Sequence, residues 1–199
     1  MEIETTWVRS SSGAVGALTL AWVLGLTSAK RGGAQETAAA PEPVRAIDSL
    51  DLERYAGRWY EVARFPSWFE RRCVGQATAD YTLRPDGGIT VVNTCRTADS
   101  TINRAEGAAR LADARGPASR LKVRFAPAFL SFLPMVWADY WVLDLTDNYR
   151  AALVGTPDRR YLWVLSRTPQ LDSATYDRLV ATAARQGFEV ARLERLEQP

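Results

Sequence analysis

From Trp59 onward the sequence consists of short runs in which apolar and polar residues alternate, punctuated by turn formers, and this pattern leaves few folds open. Ala77, Ala79, Tyr81 and Leu83 alternate with Thr78, Asp80 and Thr82, the period of two of a half-buried strand. Arg84-Pro85-Asp86-Gly87-Gly88 then puts proline at the second turn position and glycines where a positive φ is needed, so a tight hairpin into residues 89–95 is predicted. Residues 59–65, 102–111, 121–125, 140–145, 151–155 and 161–167 read as further strands. Eight short strands in succession predict an all-β domain, either an up-and-down barrel or a sandwich.

Two helical signals frame the strands. Residues 48–57 read as a short helical turn: Ser49 or Asp51 can cap it, Leu52 and Tyr55 share a face, and Gly57 ends it. The second is longer, capped by Asp172 or Ser173. Its Tyr176, Leu179, Val180 and Ala183 fall at i, i+3, i+4 and i+7, and Gly187 stops it. A last strand is expected over residues 188–193.

At 199 residues the chain has the length of one domain with a tail. Arg9 precedes an uncharged stretch whose apolar centre, residues 13–26, has the length of a signal-peptide core, and Thr27-Ser28-Ala29 supplies small residues for cleavage. Residues 1–29 therefore read as an export signal, with an uncleaved anchor as the alternative. Residues 30–46, rich in Ala, Gly and Pro, read as a flexible linker, and residues 47–199 as the folded domain. Export implies an oxidising compartment, in which Cys73 and Cys95 are expected to pair. No cysteine precedes Cys73, so the expected location is the periplasm or the outer membrane, without lipid attachment at an N-terminal cysteine.

Composition removes most chemistry. The chain has no histidine, which excludes a Ser-His-Asp or Cys-His nucleophile system and His-ligated metals, and two cysteines are too few for a four-thiolate site. No metal, cofactor or catalytic residue is expected. A net charge of +2 offers no basic field for nucleic acid, whereas seven tryptophans call for an aromatic core or an aromatic-lined pocket.

Three segments now carry a resemblance. Gly57-Arg58-Trp59-Tyr60-Glu61-Val62-Ala63-Arg64-Phe65 follows a helical turn and opens the first strand. Leu145-Thr146-Asp147-Asn148-Tyr149 is similar to a Thr-Asp-Tyr turn between the sixth and seventh strands, with Asn148 at the place of the usual aromatic. Leu162-Trp163-Val164-Leu165-Ser166-Arg167-Thr168-Pro169 supplies an arginine at the end of the eighth. From about residue 48 to the C-terminus the chain resembles the lipocalin family, in its bacterial outer-membrane and apolipoprotein D-like branch. The resemblance implies an eight-stranded antiparallel up-and-down barrel, with the C-terminal helix packed outside and a ninth strand. Gly57, Trp59 and Arg167 would close one end of it, Arg167 stacking on Trp59. Their role is structural.

Counting strands from that plug places residues 66–72, 96–101, 126–139 and 156–160 at the open end. Trp68, Phe69, Phe129, Phe132 and Trp137 make two of these loops unusually apolar, as a lid, a membrane contact or the lining of a mouth. Arg71, Arg72, Arg159 and Arg160 are candidates for a phosphate or carboxylate head group, against the alternative of solvated surface charge. Alternation from Trp59 and Arg167 assigns Ala63, Phe65, Tyr81, Leu121, Val123, Phe125, Tyr140, Val142, Tyr161, Trp163 and Leu165 to the cavity lining. A Cys73–Cys95 disulfide would staple the mouth.

The expected function is binding, storage or transport of a small hydrophobic ligand, a fatty acid or lysophospholipid, by a monomer or weak homodimer with a possible peripheral contact to membrane. The alternatives are a lipid-modifying enzyme of the same fold using a free cysteine, and an interaction module docking through the apolar loops.

Overall fold

The computed structural model describes residues 42–199, so the expected export signal and most of the expected linker lie outside the described residues. Asp51 caps the helix α1 (Leu52–Tyr55), its carboxylate accepting from the amides of Glu53 and Arg54. The strands β1 (Gly57–Arg64), β2 (Cys73–Leu83), β3 (Ile89–Thr97), β4 (Ile102–Leu111), β5 (Arg120–Arg124), β6 (Ala138–Leu145), β7 (Ala151–Gly155) and β8 (Leu162–Ser166) follow. Each pairs antiparallel with the next, and β1 pairs with both β2 and β8, which closes the barrel and leaves no edge. The 84–88 hairpin forms as predicted, with Gly87 at φ 79°.

The helix α2 (Ser173–Arg185) lies outside the barrel. Asp172 is its cap, accepting from the amide of Thr175 at 2.8 Å, and Gly187 at φ 80° follows its end. Leu179 and Ala183 are fully buried against an outer cluster that includes Val62, Ala63, Phe65, Leu153 and Val164. The predicted strand over 188–193 is corrected: Phe188 enters this cluster, Val190–Arg192 is a 3-10 turn, and the ninth strand β9 is only Glu194–Arg195, paired with β1. The expected linker is also too long at its C-terminal end. Val44 is buried in the same cluster and the Arg45 amide donates to Gln186 Oε1 at 2.7 Å, so the ordered domain begins before residue 47.

One end of the barrel is solid. Trp59 is completely buried and its indole N–H donates to the Tyr55 carbonyl at 2.8 Å. The Arg167 guanidinium lies 3.9 Å from that ring centroid and donates to the carbonyls of Arg54 (2.7 Å), Ala56 (2.9 Å), Tyr55 (3.1 Å), Arg58 (2.8 Å) and Tyr149 (3.3 Å). Gly57, at φ 93°, is where the chain turns under the guanidinium; a Cβ there would sit 3.3 Å from Arg167 Nη1. Around this plug Tyr55, Tyr81, Val91, Leu121, Val142, Val154 and Leu165 fill the interior.

Replacing Arg167 by Ala removes a charged donor from several carbonyls and one stacking contact, so a loss of about 2–4 kcal/mol is expected in urea unfolding. Arg167→Lys, with a single ammonium, should recover only part of it. Cys73 and Cys95 are disulfide-bonded, their Cα atoms 5.5 Å apart, at neighbouring ends of β2 and β3. Reduction should cost about 3 kcal/mol by the chain-entropy estimate. Thiol titration of the folded, unreduced protein should find none free.

Candidate functional site

At the other end the barrel is hollow. A cavity of about 430 Å³ opens between the loops, and a narrower lobe of about 70 Å³ continues it toward the plug. Ala77, Val123, Phe125, Ala138, Tyr140, Tyr161 and Trp163 line the upper part, and Ala79, Tyr81, Val91 and Leu165 the lower lobe. Tyr161 and Trp163 stack at 5.9 Å, and Phe69 lies 5.3 Å from Tyr161. Gly107 makes room for Phe125: a Cβ there would fall 2.7 Å from its ring and 2.5 Å from the Arg124 carbonyl. At the floor Tyr140 receives two other phenols, Tyr55 at 2.8 Å and Tyr81 at 2.9 Å. Burial pushes all three well above the ordinary tyrosine range, so they remain protonated donors.

The structure redistributes the residues that alternation assigns to the lining. Tyr81, Val123, Phe125, Tyr140, Tyr161, Trp163 and Leu165 border the cavity or its lower lobe. Leu121 and Val142 point inward but sit in the packed core below it. Ala63 and Phe65 are on the wrong face. Glu61 pairs with Leu165 and Ala63 with Val164, so one extra residue is accommodated between them. This bulge reverses the parity of β1. Ala63 and Phe65 are thereby turned out under α2, and Arg64 is turned in, opposite Trp163.

What enters the cavity in their place is charge. Glu61, Arg64 and Glu70 form a cluster in the wall. Arg64 Nη1 donates to Glu61 Oε1 at 3.2 Å and lies 3.8 Å from Glu70 Oε1. Its Nη2 donates to the carbonyl of Cys73 at 2.9 Å. Ser67 Oγ donates to Glu70 Oε2 at 2.6 Å. Burial, and then the neighbouring Glu70, raise the Glu61 carboxyl from its ordinary range to about 8, against the opposing pull of Arg64. Sequence reasoning missed Arg64 because the bulge is invisible to a period-two count, and Glu70 because it lies on a loop; Glu61, in phase with Trp59, was within its reach. The available signal was an acidic residue two positions from Trp59 on a strand otherwise apolar on its inner face.

The four arginines proposed for a head group lie elsewhere. Arg71 and Arg72 are exposed and outside the cavity lining. Arg159 donates to the carbonyls of Gln186 and Glu42, tying the N-terminal segment to the end of α2. Arg160 sits over the Tyr161 ring at 5.7 Å, near Asp158. The rim also divides. Trp68 and Phe69 border the cavity, whereas Phe129 and Phe132 project into solvent beyond its lining. Trp137 lies outside the cavity lining, its indole donating to the Ser131 carbonyl at 2.8 Å with Arg110 4.2 Å from its ring centroid. Both cysteines are consumed by the disulfide, so the thiol-based enzymatic alternative has no nucleophile here.

A family model described as a lipocalin-like domain matches residues 50–198. Temperature-induced lipocalin-1 of Arabidopsis thaliana is 42% identical over 156 residues, covering 78% of this chain and 83% of the relative. The outer membrane lipoprotein Blc of Escherichia coli K12 is 39% identical over 160 residues, covering 80% and 85%. Among solved structures, insecticyanin from the tobacco hornworm Manduca sexta superposes with a TM-score of 0.61 at 19% identity, over 80% of this chain and 87% of its own.

The raised Glu61 carboxyl makes stability depend on pH. Below the ordinary carboxylate range both folded and unfolded chains carry this proton; between that range and about 8 only the folded chain does; above about 8 neither does. Its contribution is therefore full in acid and is lost as pH rises through that window. Urea midpoints measured from pH 5 to pH 9 should fall for the parent protein, and the Glu61→Gln variant should remove most of that slope.

Proposed function

This chain belongs to the lipocalin family, and on that premise we propose that its barrel binds, stores or carries one small hydrophobic molecule of fatty-acid or lysophospholipid size in the cell envelope. The observation that carries the reading is the cavity itself: about 430 Å³, walled mostly by apolar and aromatic side chains, and open at one end only. That volume is in the range of small-molecule sites. An apolar chain entering it exchanges contact with water for contact with Phe125, Tyr161 and Trp163, a gain of about 25 cal/mol per Å² buried. The envelope assignment draws on the outer membrane lipoproteins among the relatives.

Trp68, Phe129, Phe132 and Met135 are 72%, 74%, 76% and 84% exposed, on loops at the open end. Large apolar side chains so exposed on one side of a protein suit insertion into the interfacial region of a bilayer, which would bring the mouth against the source of ligand.

Native mass spectrometry of protein purified without detergent should show a one-to-one adduct with the mass of a single-chain lipid. If delipidated protein takes up no fatty acid, lysophospholipid or fatty alcohol, the reading is wrong. Separately, Phe129→Ser combined with Phe132→Ser should reduce co-sedimentation with phosphatidylethanolamine–phosphatidylglycerol vesicles several-fold, with the thermal midpoint unchanged within about 2 °C because neither ring is buried.

A further inference from the structure

The cavity wall sets two carboxyl groups against one guanidinium. Glu61 and Glu70 face a single guanidinium, and the donors of Arg64 are largely committed within the protein: Nη1 to Glu61, and Nη2 to the carbonyls of Cys73 and Glu70 at 2.9 and 3.4 Å. Asp139, a third carboxylate of the lining, is held by Lys122 at 2.9 Å. Arg64 is the only cation among the lining residues of either lobe. It is 6% exposed, with its hydrogen bonds directed at the protein rather than at the cavity centre.

A second feature points the same way. Asn93 borders both lobes, and its side-chain oxygen is buried without a hydrogen-bond partner among the described residues. It is an acceptor awaiting a donor. Around the cluster stand Trp163, Tyr161, Tyr140 and Phe69, aromatic groups whose faces attract cations. A ligand carboxylate would meet the Glu70 carboxylate, the Glu61 carboxyl and an unpartnered carbonyl, with no free cation. An ammonium that displaces the proton of Glu61 would meet two partners of opposite charge, with the buried Asn93 carbonyl as a further unpartnered acceptor. The carboxyl of Glu61 already behaves in this sense by holding a proton, the smallest cation, to about pH 8.

We propose that the cavity selects single-chain amphiphiles with a protonated amine head, received by Glu61, Glu70 and the side-chain carbonyl of Asn93, over carboxylates of the same chain length. This rests on the reading of the barrel as a site for one hydrophobic ligand, and it names the head group that site accepts. It also removes free fatty acids from the preferred ligands.

The test is isothermal titration calorimetry of the full domain at pH 8 with three probes of one chain length: dodecylammonium, dodecanol and dodecanoate. Dodecylammonium should bind about tenfold or more tighter than dodecanoate, with dodecanol between them, because the head groups differ only in charge and donors. Glu70→Gln, on a loop, and Glu61→Gln, which keeps the side-chain shape, should each narrow the amine-to-acid ratio several-fold. Dodecanoate binding as tightly as dodecylammonium, or a ratio unchanged in both variants, overturns the inference while dodecanol binding sustains the hydrophobic site. If none of the three binds, the reading of the barrel as a ligand site fails and the inference fails with it.

Discussion

The Arg167 guanidinium is the interaction on which the rest of this molecule depends. A sheet of eight strands becomes a barrel only if its first and last members meet, and here the end of β8 reaches across the start of β1 to bind α1 and the turn at Tyr149. One planar cation satisfies carbonyls that would otherwise be left bare at a helix end and a strand start, and covers the Trp59 ring. Desolvation lowers its proton affinity, but an arginine remains charged regardless. Lysine could not span the same set of acceptors.

Closing one end firmly allows the other to be empty. The phenols of Tyr55, Tyr81 and Tyr140 mark the boundary, below which side chains fill the interior and above which they do not. A void of this size lowers stability, since its walls lack packing partners on one side. The outer cluster under α2 compensates: Leu179, Ala183 and Phe188 bury Phe65, Leu153 and Val164 on the outer face of the sheet. Buried charge in the wall is a further cost, because an ion pair removed from water seldom recovers its desolvation. A wall optimised only for stability would carry apolar residues at Glu61, Arg64 and Glu70 together, since removing Glu61 alone would strand the buried guanidinium.

Much of the architecture was legible in the sequence for local reasons. The 102–111 and 151–155 strands fall where alternation and apolar runs put them, and the 84–88 turn was specified by proline and glycine. The helix caps at Asp51 and Asp172 were among the residues chemistry would choose. Legibility failed where the partner decides conformation. The first residues of β2 include Gln76 at φ 50° and two shifts of register against β3, so no alternation marks them. Residues 188–193 read as a strand, yet Phe188 is drawn into the outer cluster and only two later residues find room beside β1.

The candidate site shows the same division more sharply. Alternation placed Tyr81, Val123, Tyr140, Trp163 and Leu165 at the cavity because their strands are regular where they line it, and side chains on a regular strand keep their faces. It misassigned Ala63 and Phe65 and overlooked Arg64, because a bulge at one pairing of β1 with β8 inverts every later side chain. A bulge arises from the register forced on two strands by barrel closure, and that is a property of the pair rather than of either segment. The sequence by itself therefore determined the succession of strands, the two helices and the availability of one cysteine pair, while the closed barrel and its plugged end came from the resemblance carried by three motifs. That Arg64 faces the cavity, and Ala63 and Phe65 do not, was decided only when β1 met β8.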